Sequence, residues 1–415
     1  MDQTSSPNAQ RTRCCIVGGG PAGMMLGLLL ARAGVAVTVL EKHRDFLRDF
    51  RGDTVHPSTL MVLQQIGLLA AFNRLPKREV EHLSGIVSGR EQLAIDFRGL
   101  EPFGHLALVP QWDLLDMLAD EARRYPNFDL RLSHEATSLI EQAGRIVGVR
   151  VRSADTEVEI HADLVVACDG RRSTLRAAAG LAAREFGAPM DVLWFRLPRK
   201  PSDPQDTFGI IEPGHMMVLL NRDDYWQVAY LVPKGGDAGL RAHPIEVLRE
   251  SVAQLADFLG DRVDSLAGWG EVKTLEVHVD RLDRWHLPGL LLIGDAAHAM
   301  SPVGGVGINL AIQDAVAAAN ELAPLLLGTA PIPEAALAAV QRRRLAPTRL
   351  IQWLQLKVQE RVISRAMAQS GDPIRVPALL RWLLTFRRVR NIPAWVLGYG
   401  WRREDVRTPV REPPA

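Results

Sequence analysis

Six residues near the start of the chain, Gly18-Gly19-Gly20-Pro21-Ala22-Gly23, sit between an apolar run at 14–17 and a helical pattern at 24–32. Strand, glycine-rich turn and helix in that order form the first half of a βαβ unit that binds dinucleotides. Gly18 allows the tight turn, Gly20 lets the backbone approach a pyrophosphate, and Gly23 lets helix and strand pack closely. Pro21 and Ala22 complete the turn, and the helix N-terminus that follows aims free N–H groups and a positive dipole end at phosphate. A second apolar run at 35–40 ends in Glu41, 18 residues after Gly23 and next to Lys42. An acid at that position accepts hydrogen bonds from an adenosine ribose and disfavours a 2′-phosphate. A glycine turn with no ligand is the simpler alternative, and the register of strand, helix and acid argues against it.

Composition bounds the rest. The chain has 415 residues, 47% of them hydrophobic, which is enough for a large core and two or three domains. A net charge of +1 offers no global field for nucleic acid. Cys14, Cys15 and Cys168 lie in or beside apolar runs. Neighbours on a strand point to opposite faces, so Cys14 and Cys15 read as small buried hydrophobes of a reducing cytoplasm. The polar first twelve residues hold no signal-peptide core, and no uncharged apolar run reaches about 18 residues. A soluble or at most peripheral protein is expected, with no metal site.

Residues 59–72 and 111–124 carry helical periodicity, with Leu114, Leu115 and Leu118 on one side of the second. Residues 83–97 alternate like short strands, and 164–167 reads as a further parallel strand. From 191 to about 279, alternating stretches such as 216–220 and 225–232 flank the turn-like Asn221-Arg222-Asp223-Asp224. They predict an antiparallel sheet inserted into an α/β domain. An apolar strand returns at 290–293, a helix follows at 307–325, and the remainder from 334 reads as mostly helical.

The strand at 290–293 delivers Gly294-Asp295 to its carboxyl end, where ligands bind in open α/β sheets. Asp295 suits the hydroxyls of a polyol such as a ribityl chain. The turn Pro302-Val303-Gly304-Gly305-Val306-Gly307 offers backbone N–H groups at a helix start, suited to negative charge developing on a flavin ring. Pro302, Gly304 and Gly305 are therefore placed against the reactive edge of the flavin as the catalytic residues. With Cys168-Asp169-Gly170, the three segments describe a flavin site.

Residues 18–23, Cys168-Asp169-Gly170 with Ser173 and Arg176, and Gly294-Asp295-Ala296-Ala297-His298 with Pro302, Gly304, Gly305, Gly307 and Asn309 also support a resemblance. Over about residues 12–330 they resemble the three signatures of the single-component FAD-dependent aromatic hydroxylases, the para-hydroxybenzoate hydroxylase type. The resemblance implies an α/β fold with a discontinuous Rossmann-like FAD-binding domain (12–75, 105–180 and 285–333). It also implies an inserted antiparallel substrate sheet (76–104 and 181–284) and a C-terminal helical region (334–415). FAD is then held mainly by the first and third segments, including Gly307, Ile308 and Asn309, while Asp169 and Gly170 serve both FAD and NADH or NADPH. Arg51 matches an arginine near the flavin and pyrophosphate, and Gln111 stands where a polar side chain reaches FAD, a position at which many relatives carry arginine.

No second glycine fingerprint exists for a nicotinamide cofactor. The resemblance therefore implies NAD(P)H lying transiently in a surface groove near Arg51 and Asp169, with Arg171 or Arg172 as further contacts or simply a solvated pair. The implied reaction takes O₂ as co-substrate through a C4a-hydroperoxyflavin, and hydroxylates, epoxidises or oxidises an aromatic or similarly planar apolar small molecule.

For the substrate, Trp226, Val228 and Tyr230 share one strand face and offer an aromatic wall, with His215 nearby. Their competing role is to fill a sheet-packed core. From Arg375 onward nine arginines stand against Glu404, Asp405 and Glu412, interleaved with Trp382, Phe386, Trp395, Tyr399 and Trp401. Such a stretch packs over a catalytic domain or lies on an anionic membrane surface. Two other functions remain open, a flavin-dependent reductase of isoprenoid double bonds and a non-catalytic flavoprotein. The chain is expected to act as a monomer or dimer.

Overall fold

The computed structural model describes residues 10–47, 54–87, 90–154, 156–367 and 387–411. The run at 14–17 ends the strand Gln10–Val17, which pairs in parallel with Val37–Leu40 on one side and Thr156–Ala167 on the other. Covered on both faces, it is apolar without alternation, as parallel central strands are. Phe128–Arg131 and Leu290–Leu292 extend the sheet in parallel at either side, and His286–Leu287 closes one edge antiparallel. The hairpin of Glu135–Gln142 and Arg145–Ser153 hangs on Thr156–Ala167.

The helices Pro21–Arg32, Gln111–Ala122 and Gly307–Leu327 contribute Met24, Leu28, Leu118, Ile312 and Val316 to one core. The stretch Val303–Leu327 is long and apolar enough to cross a membrane by length and composition, yet here it is mostly buried in that core. The helical pattern at 59–72 divides into Pro57–Gln65 and Leu69–Asn73, because Gly67 between them takes a φ of 79°.

The second sheet has seven strands, in the order Lys273–Leu275, Met190–Pro198, Tyr225–Pro233, His215–Asn221, Phe208–Glu212, His82–Val87 and Arg90–Asp96. One pairing departs from the antiparallel expectation. Phe208–Glu212 runs parallel to His82–Val87, which the chain permits because these strands come from separate stretches and no hairpin joins them. The sheet has two apolar faces. One buries Phe195, Trp226, Val228 and Tyr230 against Leu248 and Val252 of the helix Glu246–Leu255. The other carries Val192, Ala229 and Leu231, with Trp194, Met216 and Val218, and packs on Val303.

The helix Glu334–Val358 continues into Gln359–Ile363 and Ser364–Met367. The helix Arg387–Gly398 follows among the described residues, and residues 403–411 form neither helix nor strand. Gly400 takes a φ of 75°, and the tail is then held by partners outside itself. Asn320 bonds the backbone of Asp405 and Arg407, Arg343 pairs with Glu404, and the Arg411 N–H reaches the Arg32 carbonyl at 2.7 Å. The part of the arginine-rich stretch at 375–386 lies outside the described residues.

Behind the second sheet, Asp203 accepts two hydrogen bonds from Arg262, at 2.7 and 3.0 Å, and one from Trp226 Nε1 at 2.9 Å. Both ionic side chains are buried. Asp203→Ala removes the buried partner of Arg262 and leaves it only the half-exposed Asp261 at 3.0 Å, and is expected to cost about 3–5 kcal/mol of stability, read by urea unfolding.

Candidate flavin site

Val17, Leu40, Ala167 and Leu292 end on the same edge of the first sheet, so the loops that follow them converge. Gly18 has a φ of 105°, and a Cβ there would stand 2.3 Å from the Cys168 carbonyl oxygen. The first and second glycine segments thus touch backbone to backbone. At Gly20, Gly170 and Gly307 the situation reverses, since an added Cβ would meet no protein atom within 4 Å. These glycines face open space. Gly20 caps the helix Pro21–Arg32 without any side-chain hydrogen bond, leaving its first N–H groups for a phosphate, with Ala22 and Gly23 buried beneath and Pro21 at the rim.

Glu41 follows Val37–Leu40, its carboxylate held by the N–H groups of Gly19 at 2.9 Å and His43 at 3.0 Å. That fixes its orientation beside the glycine turn. Lys42 is exposed next to it, and Gln111 is half-buried as the first residue of the helix Gln111–Ala122. Arg51 lies outside the described residues. The open glycine backbone, the uncapped helix and the adjacent carboxylate fit the adenosine and pyrophosphate of FAD.

Asp295 receives the Arg171 Nε–H at 3.0 Å, both side chains being about a third exposed. A pair so exposed contributes at most about 1 kcal/mol, so Asp295 can turn to cofactor hydroxyls at little cost. Asp169 behaves differently. Its Oδ1 accepts the Ser173 hydroxyl at 2.5 Å and its Oδ2 the Leu175 N–H at 3.1 Å. Burial raises its pKa while those bonds partly offset the rise. The carboxylate holds the start of the helix Thr174–Ala178, and Gly170 beside it turns to the open space.

Behind Gly294, the fully buried Asp314 accepts its N–H at 3.1 Å, His298 Nε2–H at 2.6 Å and Arg344 Nε–H at 2.8 Å. Burial alone would raise the Asp314 pKa, but His298 and Arg344 hold it below the ordinary carboxylate value. His298 is an anchor of this bracket.

In the turn at 302–307, Gly304 and Gly305 take φ of 79° and 62°. Gly305 donates its N–H to the Pro302 carbonyl at 3.0 Å, which closes the turn. No side chain caps the helix Gly307–Leu327, and its first N–H groups are left for a ligand. Gln355 holds the turn through the carbonyls of Ser301 at 2.9 Å and Val303 at 2.8 Å. The Asn309 side chain is spent internally. Its Oδ1 accepts from the His56 N–H and the Thr59 hydroxyl, and its Nδ2 donates to Thr54 and Gly305 carbonyls. Ile308 is buried beside it.

Sequence reasoning missed His56, which is fully buried. Its Nδ1–H donates to the Leu397 carbonyl at 2.7 Å, and the Leu397 side chain lies against Gly304. Its Nε2 is buried without a hydrogen-bond partner. Burial lowers its pKa to about 4. The available signal was a polar residue at the cap position before Pro57.

The residues expected as a substrate wall lie apart from the turn at 302–307. Trp226 is fully buried, and Tyr230 bonds His215 at 2.9 Å and Ser251 at 2.7 Å, all on the far side of the second sheet. Strand periodicity puts Trp226, Val228 and Tyr230 on one face, and the opposite face, with Ala229 and Leu231, is the one that packs on Val303. Among the described residues no group of three metal-ligating side chains occurs.

Glu41→Ala and Asp295→Ala should each weaken FAD retention by about 1–3 kcal/mol through lost acceptors, measured by flavin release on dilution. For His56, the folded pKa near 4 lies below the unfolded value near 6.5. Its contribution is therefore complete above pH 6.5 and lost as pH falls toward 4, up to about 3 kcal/mol. His56→Asn, which keeps a donor toward Leu397, should flatten that part of the stability profile in urea unfolding from pH 4 to 7.5.

The sequence model of the FAD binding domain family matches residues 11–353. The 6-methylpretetramide 4-monooxygenase of Streptomyces rimosus is 35% identical over 315 residues, covering 74% of each chain. The rifampicin monooxygenase of Streptomyces venezuelae is 31% identical over 76% of this chain and 65% of its own. Among solved structures, PqsL of Pseudomonas aeruginosa, a probable FAD-dependent monooxygenase, superposes with a TM-score of 0.75 at 22% identity, covering 86% of this chain and 98% of its own. The anhydrotetracycline hydroxylase OxyS of Streptomyces rimosus gives 0.74 at 23% identity, over 94% and 76%. Those two likenesses establish the fold alone. With the family model spanning both sheets and the glycine segments meeting at one edge, this chain belongs to the FAD binding domain family, that of the FAD-dependent aromatic hydroxylases.

Proposed function

We propose that the chain is an FAD-dependent monooxygenase that uses NADH or NADPH and O₂ to hydroxylate an aromatic or similarly planar apolar small molecule. The observation that carries this is the meeting of an open glycine cradle, Glu41 and Asp295 with the turn at 302–307, which itself packs on the second sheet. When bound, FAD supplies electron transfer and the activation of O₂. The chain's own residues bind, orient and exclude water. Trp194, Met216 and Val218 stand with Val303 on the near face of the second sheet, and Met61, Leu83 and Leu220 stand with Leu397 beside it. Walls of this kind orient a planar ring and keep the reacting centre dry, which limits loss of reductant to H₂O₂.

Relatives named for 6-methylpretetramide and for 3-(3-hydroxy-phenyl)propionate support an aromatic substrate. The double-bond reductase and non-catalytic readings draw no support from them. For the C-terminus, packing over the catalytic domain is favoured by the burial of Ala394 and Tyr399 and by the contact of Leu397 with Gly304. The free cysteines Cys14, Cys15 and Cys168 favour a reducing compartment, the cytoplasm.

With substrate present, ¹⁸O₂ should place one labelled oxygen in the product, and substrate should raise both flavin reduction rate and coupling. Product formed without O₂, or carrying oxygen from water, would overturn the assignment.

A further inference from the structure

A short antiparallel ribbon, Ala183–Glu185 with Asp280–Leu282, sets Arg184 directly opposite Arg281. Like charges facing across a ribbon are unfavourable. Both guanidinium groups lie over Phe186, at 5.4 and 4.9 Å from its ring centre. Arg349, exposed on the helix Glu334–Val358, adds a third positive charge close by. Burial first, then Arg349 and Arg184, lower the Arg281 pKa, with Asp283 as the carboxylate that partly offsets them. Arg281 donates to the Gln352 amide oxygen at 2.5 Å. Among the described residues none of the three forms an ion pair, while Arg171, Arg172 and Arg176 nearby all do. Folding has thus set two cations against one ring, with Arg349 one helical turn before the Gln352 that Arg281 bonds, and only Asp283 partly offsets their charge.

The ribbon is also tied to both segments that frame the flavin site. Asp280, next to Arg281, accepts from Arg176, which follows Gly170, at 3.4 Å. Its other oxygen accepts the N–H of Ala299, three residues before Pro302, at 3.0 Å. Gln352 completes the connection by donating to the Asp280 and Ala299 carbonyls at 2.7 and 3.1 Å. FAD phosphates belong at the start of the helix Pro21–Arg32, and the sequence holds no second glycine turn for another dinucleotide. A second polyanion must find its cations elsewhere.

We propose that Arg184, Arg281 and Arg349 form a phosphate-binding site whose occupant is the phosphate-bearing half of the nicotinamide dinucleotide. Guanidinium groups are suited to this by their planar forks of donors, and Phe186 holds two of them in place before the ligand arrives. The proposal rests on the NAD(P)H-dependent reading above.

The test uses oxidised holoenzyme, with Arg184→Gln, Arg349→Gln and their double variant, both positions being exposed. Binding of NADPH, NADH, 2′,5′-ADP and inorganic phosphate is followed by calorimetry, and flavin reduction by anaerobic stopped flow. Each single variant should weaken NADPH binding about 5–20-fold, while FAD content and the limiting reduction rate stay within about twofold. A loss confined to NADPH and 2′,5′-ADP assigns the site to the 2′-phosphate, and an equal loss for NADH assigns it to the pyrophosphate; both support the proposal. Unchanged affinity for both nucleotides in the double variant overturns it, as does a loss confined to inorganic phosphate. If neither nucleotide reduces the wild-type flavin, the functional reading fails instead, and the calorimetry still decides whether the arginines bind phosphate.

Discussion

Parallel pairing of Gln10–Val17 with Thr156–Ala167 presses the backbone of Gly18 against that of Cys168, and the remaining parts of the site are positioned from this contact. No side chain intervenes at this contact, and Gly20 and Gly170 close to it both face open space. The neighbouring parallel strands add Glu41 on one flank and Gly294-Asp295 on the other. Parallel strands place all their carboxyl ends together, so five parallel strands in one sheet deliver five loops to one edge.

Buried charge supports that edge from behind. Asp314 joins the Gly294 N–H to His298 and Arg344, while Gln355 and Asn309 hold the turn at 302–307 by its carbonyls. None of these side chains reaches toward a ligand. They hold backbone atoms, which is what a site built from glycine turns needs, since it has few side chains of its own to lock. The same economy explains why the tail returns to the first domain. Leu397 packs on Gly304 and its carbonyl occupies His56, and the following residues are then tied to Asn320 and Arg343.

Some of this organisation was legible in the residues. The glycine turn, the acid at 41 and the apolar runs at 14–17 and 290–293 have local causes, so they read correctly without a partner in view. The protein partners of Asp169, Asn309 and His56 were not legible there. Each is a polar side chain whose hydrogen-bond partner is chosen by the fold: Ser173 and Leu175 for the first, Thr54 and Thr59 for the second, Leu397 for the third. A motif position says that a residue type is needed there, and leaves open whether it faces ligand or protein.

By itself the sequence determined an α/β chain with a dinucleotide turn, a second sheet of alternating strands and a flavin-directed third segment, because strand period, helix period and glycine stereochemistry act over a few residues. Tertiary structure decided which face of the second sheet meets the site. Alternation separates Trp226 and Tyr230 from Ala229 and Leu231, but only packing assigns the first pair to the helix Glu246–Leu255 and the second to Val303. Tertiary structure likewise decided that Arg184 and Arg281, far apart in the chain, share one ring at Phe186, and that Arg281 bonds Gln352 on the helix that carries Arg349. Charge that far apart in sequence has no local signature, and its proximity exists only once the chain has closed.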